Sequence, residues 1–218
     1  GVGVSAYVEI TGFGGTEYGH VDVQSDGTVT VKAGTSAHGQ GHATAFSMLA
    51  ADVLQVPIEQ VRFVQSDTAE VPTGGGTGGS RSLQMGGNAV SQAAHELRDR
   101  AIVLAAHLLE ADVNDVALDQ AGFGVIGVPG RAITWADLAA HAISNGAELS
   151  VDADFHQTGA TFPFGAHVSV VEVDTETGSV RPLRHIAVDD CGRVLNPLLV
   201  AGQQHGGLAQ GISQALWE

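Results

Sequence analysis

Cysteine is nearly absent from this sequence. Its 218 residues include one, Cys191, so they cannot form a disulfide framework among themselves. Such cysteine usage fits a reducing compartment, and we predict a cytoplasmic location. Because the sequence places no general base beside Cys191, we expect a buried structural thiol and not a nucleophile.

Basic residues and long apolar runs are also scarce. There are 9 Lys and Arg residues against 24 Asp and Glu, which gives a formal net charge of -15 at pH 7. This excess of negative charge argues against binding to a nucleic-acid backbone or an anionic membrane. No run approaches the roughly 18 apolar residues needed to cross a bilayer, and no signal segment opens the sequence. We therefore expect no nucleic-acid partner and no membrane insertion.

A composition break that would mark a linker is missing as well. The length suffices for one large domain or for two subdomains, for which 1–110 and 111–218 are the candidate ranges. The sequence begins at Gly1 without methionine and stops at Glu218 inside an apolar helical pattern. We expect an internal piece of a longer protein.

Histidine, by contrast, is plentiful, with ten residues. Only His38 and His42 stand four apart, and two glycines lie between them. No cysteine or carboxylate completes a recognisable ligand set. We therefore predict no metal site ligated by protein side chains.

Two kinds of apolar periodicity alternate along the chain. Strand-like segments cover residues 6–11, 21–24, 29–32, 61–65, 164–174 and 180–189. Helical spacing predicts helices over 43–56, 83–109 and 134–142, and a fourth that begins at Asn196 and Pro197. Ser80 or Ser82 is expected to cap the second helix, and residues 112–131 are expected to be irregular. The predicted fold class is α+β, with antiparallel hairpins and mixed sheet packed with long helices.

Glycine is abundant and clusters in three places, which we call the first corner (39–42), the second corner (74–82) and the third corner (202–207). Glycine lets backbone N–H groups crowd around anionic oxygens, and a helix start adds unpaired donors. Gln40 and Gln203 add amides that donate and accept at once, although each alone reads as a solvated surface residue. Together the corners predict one large ligand with many polar groups.

The third corner differs from the others because it falls inside the predicted fourth helix. Each of its glycines weakens the helix by about 1 kcal/mol relative to alanine. We expect backbone or ligand to press against that face in compensation.

Two rival interpretations of the glycines stay open at this point. Gly74, Gly76 and Gly79 formally satisfy a dinucleotide-binding pattern, but no strand comes directly before them. A nicotinamide-dependent dehydrogenase is therefore the weaker alternative. The other alternative is a non-catalytic scaffold or interaction module in which the glycines serve packing.

The ordered segments resemble the large, molybdopterin-binding subunit of the molybdenum hydroxylases, a family that includes xanthine dehydrogenase, aldehyde oxidase and aerobic carbon monoxide dehydrogenase. The resemblance rests on residues 39–42, 76–82 and 189–207 and extends over most of the chain. It implies a fragment, 1–218, of the molybdopterin-binding domain of the aldehyde oxidase and xanthine dehydrogenase type.

The resemblance implies a molybdopterin cofactor, commonly the cytosine dinucleotide form in bacteria, whose molybdenum takes no direct protein ligand. The two glutamine amides would bind the pterin or its pyrophosphate extension, and the second corner would supply backbone and hydroxyl donors. The cofactor-binding residues so implied are Gly39, Gln40, Gly41, His42, Thr77, Gly78, Gly79, Ser80, Arg81, Ser82 and Gln203.

The resemblance further implies an oxidoreductase that uses water to hydroxylate a carbon centre of an aldehyde, an N-heterocycle or carbon monoxide. Iron–sulfur clusters and FAD would lie on partner subunits or domains, and the substrate would be a small molecule. In the family a glutamate downstream of the third corner acts as general base. No glutamate of this sequence inherits that role, so we assign no catalytic residue and expect the isolated fragment to be inactive. A homodimer of the fragment is a further expectation.

Overall fold

The computed structural model describes residues 1–12 and 14–218 and divides the chain into two compact units. We call residues 14–159 the central unit, and residues 1–13 with 160–218 the split unit. The boundaries differ from the division at residue 110 considered above. The reason is that the helix ending at Leu109 shares one hydrophobic core with residues as far along the chain as Ala153.

The elements follow one another in an alternating order. In chain order they are β1 (Val2–Val8), β2 (Thr16–Val23), β3 (Val29–Ala33), α1 (His42–Leu54), β4 (Val61–Val64), a π-helical turn (Ser82–Gly87), α2 (Asn88–Leu109), β5 (Val116–Asp119), β6 (Gly122–Val125), β7 (Ala132–Ile133), α3 (Trp135–Ser144), β8 (Leu149–His156), β9 (Phe164–Val173), β10 (Val180–Asp190) and α4 (Pro197–Trp217). Single 3-10 turns lie at Ile58–Gln60 and Val113–Asp115.

The central unit is built on a four-stranded sheet with the order β4-β3-β2-β8. Asp26 and Gly27 lie in the turn that joins β2 to β3, and the Asp26 carboxylate accepts a hydrogen bond from the backbone N–H of Thr28 at 2.9 Å. β2 pairs antiparallel with β3 and β8, whereas β3 pairs parallel with β4. The α+β prediction is therefore confirmed, mixed sheet included.

α1, α2 and α3 pack with this sheet around one hydrophobic core. The apolar face predicted for α2 is buried at Val90, Ala94, Leu97 and Ala101. In the part of the chain that the structure describes, every buried hydrophobic side chain belongs to the central unit. Hydrophobic burial contributes about 25 cal/mol per Å² of apolar surface, so this core is the main source of the unit's stability.

Three local predictions for the central unit are wrong. Residues 112–131 are not irregular, because β5, β6 and β7 form a small antiparallel sheet. Neither Ser80 nor Ser82 caps a helix, since the helical stretch begins after Arg81 without a side-chain cap. The bounds of the strand predicted over 21–24 are wrong, because β2 begins at Thr16 and ends at Val23. The capping box of Thr134 with Asp137 is present at the start of α3.

The split unit consists of an antiparallel sheet, β1-β9-β10, followed by α4. The strands predicted over 164–174 and 180–189 are present as β9 and β10, and they pair as an antiparallel hairpin. The first strand lies at Val2–Val8 instead of 6–11, with β9 as its partner. α4 begins as predicted, because the Asn196 side chain accepts hydrogen bonds from the N–H groups of Leu198 and Leu199. No residue of the described α4 is buried.

Candidate functional site

The first corner forms the start of α1. Gly41 is the residue before the helix and has φ 84°, in the left-handed region that only glycine adopts freely. The first N–H groups of any helix lack partners within the helix, and here no side chain caps them either. Gly39 is exposed, and a Cβ added to it would meet nothing within 4 Å. The backbone here is open to a ligand.

Gln40 connects the first corner to the second. Its Oε1 accepts a hydrogen bond from the backbone N–H of His38 at 2.5 Å, and its Nε2 lies 3.5 Å from Thr77 Oγ1. Thr77 Oγ1 in turn lies 2.9 Å from Ser82 Oγ. Three residues predicted from two separate segments therefore form one polar chain.

His42 points away from this polar chain. Its imidazole is buried and stacks on Phe46 with 5.0 Å between ring centroids, and Nδ1 lies 3.3 Å from Thr35 Oγ1. Burial lowers the pKa of His42, the Gln65 amide opposes this effect, and His38 adds to it. The other ring nitrogen, Nε2, is buried and has no hydrogen-bond partner of good geometry among the described residues.

The second corner carries backbone strain at its tip. Gly79 has φ 64° and Ser80 has φ 49°, so two successive residues are left-handed. For serine this conformation costs about 1–2 kcal/mol. Ser80 is exposed and Gly78 has no atom within 4 Å of an added Cβ. Strain of this kind concentrates at ligand-binding segments, where the surroundings enforce it.

The second corner ends in the π-helical turn, which continues into α2. Because no side chain caps this start, the N–H groups of its first turn depend on other partners. A helix start carries partial positive charge and favours anions. The hydroxyls of Thr77 and Ser82 lie beside these donors.

The Arg81 side chain turns toward the interior of the central unit. Its Nη2 donates to Glu17 Oε2 at 2.8 Å and lies 3.4 Å from the Thr16 carbonyl oxygen. Its Nε is buried without a partner among the described residues. Glu17 thus matches the charge of Arg81. The Arg81 side chain is therefore less available for an ion pair with a ligand, whereas its backbone N–H can still serve in the donor role that the resemblance implied.

The third corner belongs to the split unit. Gln203 is exposed on α4, and the expected contact on the glycine face is absent from the described residues. A Cβ added to Gly202, Gly206, Gly207 or Gly211 would meet nothing within 4 Å. Of the two expected contacts, backbone of the described residues does not press against this face, and contact with a ligand stays a prediction.

A carboxylate on β10 attaches α4 to the sheet of the split unit. Asp189 accepts hydrogen bonds from Tyr7 Oη at 2.8 Å and from Gln204 Nε2 at 2.8 Å, and His167 Nε2 lies 2.9 Å away. The His167 contact is the largest of the effects that hold the pKa of Asp189 below its usual range. Asp189 thus has a structural role in the fold.

Cys191 follows β10 and is exposed, so the expectation of a buried thiol is wrong. The described residues contain no group of three or more His, Cys, Asp or Glu side chains able to hold a metal ion. Among them no helix is long and apolar enough to cross a membrane.

Two structural residues escaped the sequence analysis. Glu17 is buried on the same inward face of β2 as Val21 and Val23. A single carboxylate at an alternate position among apolar residues could have indicated a buried charge that needs a partner. Asp189 lies in the segment 189–207 that carries the resemblance, but the sequence assigned it no role of its own. Its link to Gln204 depends on tertiary contact.

The arrangement of the first two corners suits a polyanionic ligand. Open backbone, two hydroxyls, an amide and two uncapped helix starts lie in one unit. Residues 39–42 and 74–82 contain no carboxylate, and the buried carboxylate of Glu17, which contacts the second corner, is matched by Arg81. A molybdopterin, with its phosphate and hydrogen-bonding heterocycle, fits this donor set.

Similar proteins carry the same domain. A family model described as the molybdopterin cofactor-binding domain matches residues 1–218. The carbon monoxide dehydrogenase large chain of Hydrogenophaga pseudoflava is 34% identical over 99% of this chain. The gamma subunit of the 6-hydroxypseudooxynicotine dehydrogenase complex of Paenarthrobacter nicotinovorans is 36% identical over 100%. This chain spans 28% of the length of each relative.

Solved structures of oxidoreductases share the fold of this chain. Quinoline 2-oxidoreductase from Pseudomonas putida 86 matches with a TM-score of 0.88 and 32% identity, over 98% of this chain and 30% of that one. Carbon monoxide dehydrogenase from Oligotropha carboxidovorans matches with a TM-score of 0.86 and 32% identity, over 95% of this chain and 28% of that one. The chain belongs to the family of molybdopterin cofactor-binding domains.

Proposed function

We propose that these residues form part of the cofactor site of a molybdenum hydroxylase, a protein that uses water to hydroxylate an aldehyde, an N-heterocycle or carbon monoxide. The observation that carries the proposal is the polar chain of Gln40, Thr77 and Ser82, which joins two glycine corners beside uncapped helix starts. Relatives named for carbon monoxide, quinoline and 6-hydroxypseudooxynicotine support a hydroxylase or dehydrogenase in general.

The residues that would hold the cofactor are those that the resemblance implied. Backbone N–H groups of Gly39, Gly41, Gly78 and Gly79 can approach phosphate oxygens because no side chain stands in the way. The hydroxyls of Thr77, Ser80 and Ser82 and the amides of Gln40 and Gln203 complete the list of side-chain donors. For His42 and Arg81, whose side chains turn inward, we propose backbone contacts.

When bound, the cofactor supplies a molybdenum centre for a two-electron oxidation. This chain's own contribution is to bind and orient the pterin and its extension, for which we propose the cytosine dinucleotide form. We place the general base outside these residues and infer that the isolated fragment is inactive. Iron–sulfur and flavin subunits are the proposed electron-transfer partners, and the proposed location is cytoplasmic. Relatives that are named as a large chain or a complex subunit support the multi-subunit assembly.

The test uses the complete protein carrying Gln40→Ala or Gln203→Ala, with Gln120→Ala, an exposed residue outside the corners, as the matched control. Loss of a hydrogen bond to a charged or polar cofactor group costs about 1.5–3 kcal/mol, roughly a tenfold or greater loss of affinity. Molybdenum and pterin content per protein should fall in both corner variants and stay unchanged in the control. Full occupancy in both corner variants would sink the cofactor assignment.

A further inference from the structure

Glu17 is a buried carboxylate to which the proposed function gives no role. Its side chain is 1% exposed on the inward side of β2. An ionised carboxylate away from water costs several kcal/mol unless a partner compensates for the lost hydration. The partner here is Arg81, with 2.8 Å between Oε2 and Nη2.

The Glu17 carboxylate touches segments near both ends of the second corner. Oε2 binds Arg81, near the end of the corner. Oε1 faces Gly34, since a Cβ on Gly34 would lie 2.5 Å from it and 2.8 Å from the Cα of Gly74, where the corner begins. The Gly34 carbonyl oxygen also accepts a hydrogen bond from the N–H of Gly76 at 3.3 Å.

We propose that Glu17 is a positioning residue of the molybdopterin site, which acts through Arg81 to fix the second corner in its binding conformation. A segment with five glycines loses much conformational entropy on ordering, about 1–2 kcal/mol for each residue fixed. A charge-assisted bond to a residue 64 positions earlier opposes that loss. Arg81, itself a residue of the second corner, also matches the negative charge of the buried carboxylate, which would otherwise disfavour an anionic cofactor nearby. The inference rests on the proposed function.

The experiment compares Glu17→Gln with Glu96→Gln in the complete protein. Glu96 is the matched control because it also pairs with an arginine, Arg100, but on the exposed face of α2. Glu17→Gln should lower molybdenum and pterin content, with about tenfold weaker cofactor retention, by analogy with residues that orient metal ligands. It should also speed trypsin cleavage after Arg81. The control should change neither.

A merely structural role predicts a different pattern. In that case Glu17→Gln would accelerate cleavage at basic residues throughout the central unit, Arg62 and Arg131 included, in step with a lower unfolding temperature. Selective cleavage after Arg81 together with reduced occupancy supports positioning. Normal cofactor content in Glu17→Gln, with Gln40→Ala depleted, overturns this inference and leaves the proposed function standing.

If Glu17→Gln does not accumulate as folded protein, the double variant Glu17→Gln/Arg81→Met decides. It leaves no unpaired charge in the interior, so it is expected to fold. Its cofactor content should still be low, because the second corner has lost its attachment. Wild-type content in the folded double variant would overturn the inference. Unchanged content in both Gln40→Ala and Gln203→Ala would instead remove the proposed function on which it rests.

Discussion

The central unit and the split unit hold their candidate cofactor residues by different means. In the central unit a core of fully buried side chains lies beneath the first two corners, and Phe46 of α1 packs against His42. In the split unit α4 has no buried residue, and a hydrogen bond between Gln204 and Asp189 ties it to the sheet. Burial is non-directional and strong, whereas a hydrogen bond is weaker but sets an orientation.

The two units can be followed separately by tryptophan fluorescence, because each contains one tryptophan. Trp135 lies in the central unit at 6% exposure, and Trp217 lies in the split unit at 75% exposure. Trp217→Phe would leave fluorescence that reports the central unit alone.

The largest effect is expected from the core. Phe46→Ala removes a fully buried aromatic ring and should lower the free energy of unfolding of the central unit by about 3–5 kcal/mol. Leu198→Ala, at a side chain that is 81% exposed on α4, should change stability by less than about 0.5 kcal/mol. Urea unfolding followed by Trp135 fluorescence and by circular dichroism measures both. Equal losses in the free energy of unfolding would contradict the conclusion that burial stabilises the central unit but not α4.

A pair of glycine substitutions should act in opposite directions. In Gly34→Ala the new Cβ would lie 2.7 Å from the Thr73 carbonyl oxygen, so backbone must shift, at a cost of about 1–3 kcal/mol. Gly206→Ala meets nothing within 4 Å and should stabilise α4 by about 0.5–1 kcal/mol. Thermal unfolding of the isolated chain tests both signs. In the complete protein, lower cofactor content in Gly206→Ala would indicate that the ligand approaches this face.

A smaller effect is expected for the attachment of α4. Gln204→Ala removes the bond to Asp189 and should cost the split unit about 1 kcal/mol, since the site is partly exposed. Amide hydrogen exchange should quicken across residues 197–217 while the Trp135 transition stays unchanged. The neighbouring Gln203→Ala is the control and should leave exchange as it is. Equal exchange in the two variants would show that Asp189 does not fix the helix.

The smallest effect concerns a polar cluster in the central unit. Burial acts to lower the pKa of His20, but hydrogen bonds to Asp22 at 3.0 Å and Asp152 at 2.9 Å outweigh it, so the pKa is raised. A raised folded-state pKa stabilises the fold fully below the unfolded-state value of about 6.5, and this contribution is lost as pH rises through the folded-state pKa.

His20→Gln should therefore cost more at about pH 5.5 than at about pH 8.5, with a difference below about 1 kcal/mol. Urea unfolding at the two pH values measures it. In an Asp152→Asn background the difference should shrink, because one of the two carboxylates has lost its charge. A larger loss of stability at the higher pH would contradict a raised pKa of His20 in the folded state.

Much of the fold followed from local pattern. The 3.6-residue spacing located α1 and α2, and Asn196 with Pro197 located the start of α4, because these signals depend on neighbours in sequence. β5, β6 and β7 escaped because each is short and pairs only within a turn-rich region. β8 escaped because its pairing partner β2 stands more than a hundred residues earlier in the chain. The cofactor-binding residues stay predictions, although Gln40, Thr77 and Ser82 do lie together.

By itself the sequence determined the family, since three polar glycine segments in a fixed order are a local and specific signal. It also determined most helices, because helical hydrogen bonds close within four residues. Tertiary structure alone decided that Glu17 and Arg81 pair across 64 residues and that Asp189 holds Gln204. The physical reason is that a charge or amide finds its partner only after folding has brought distant segments together, and no local pattern encodes that distance.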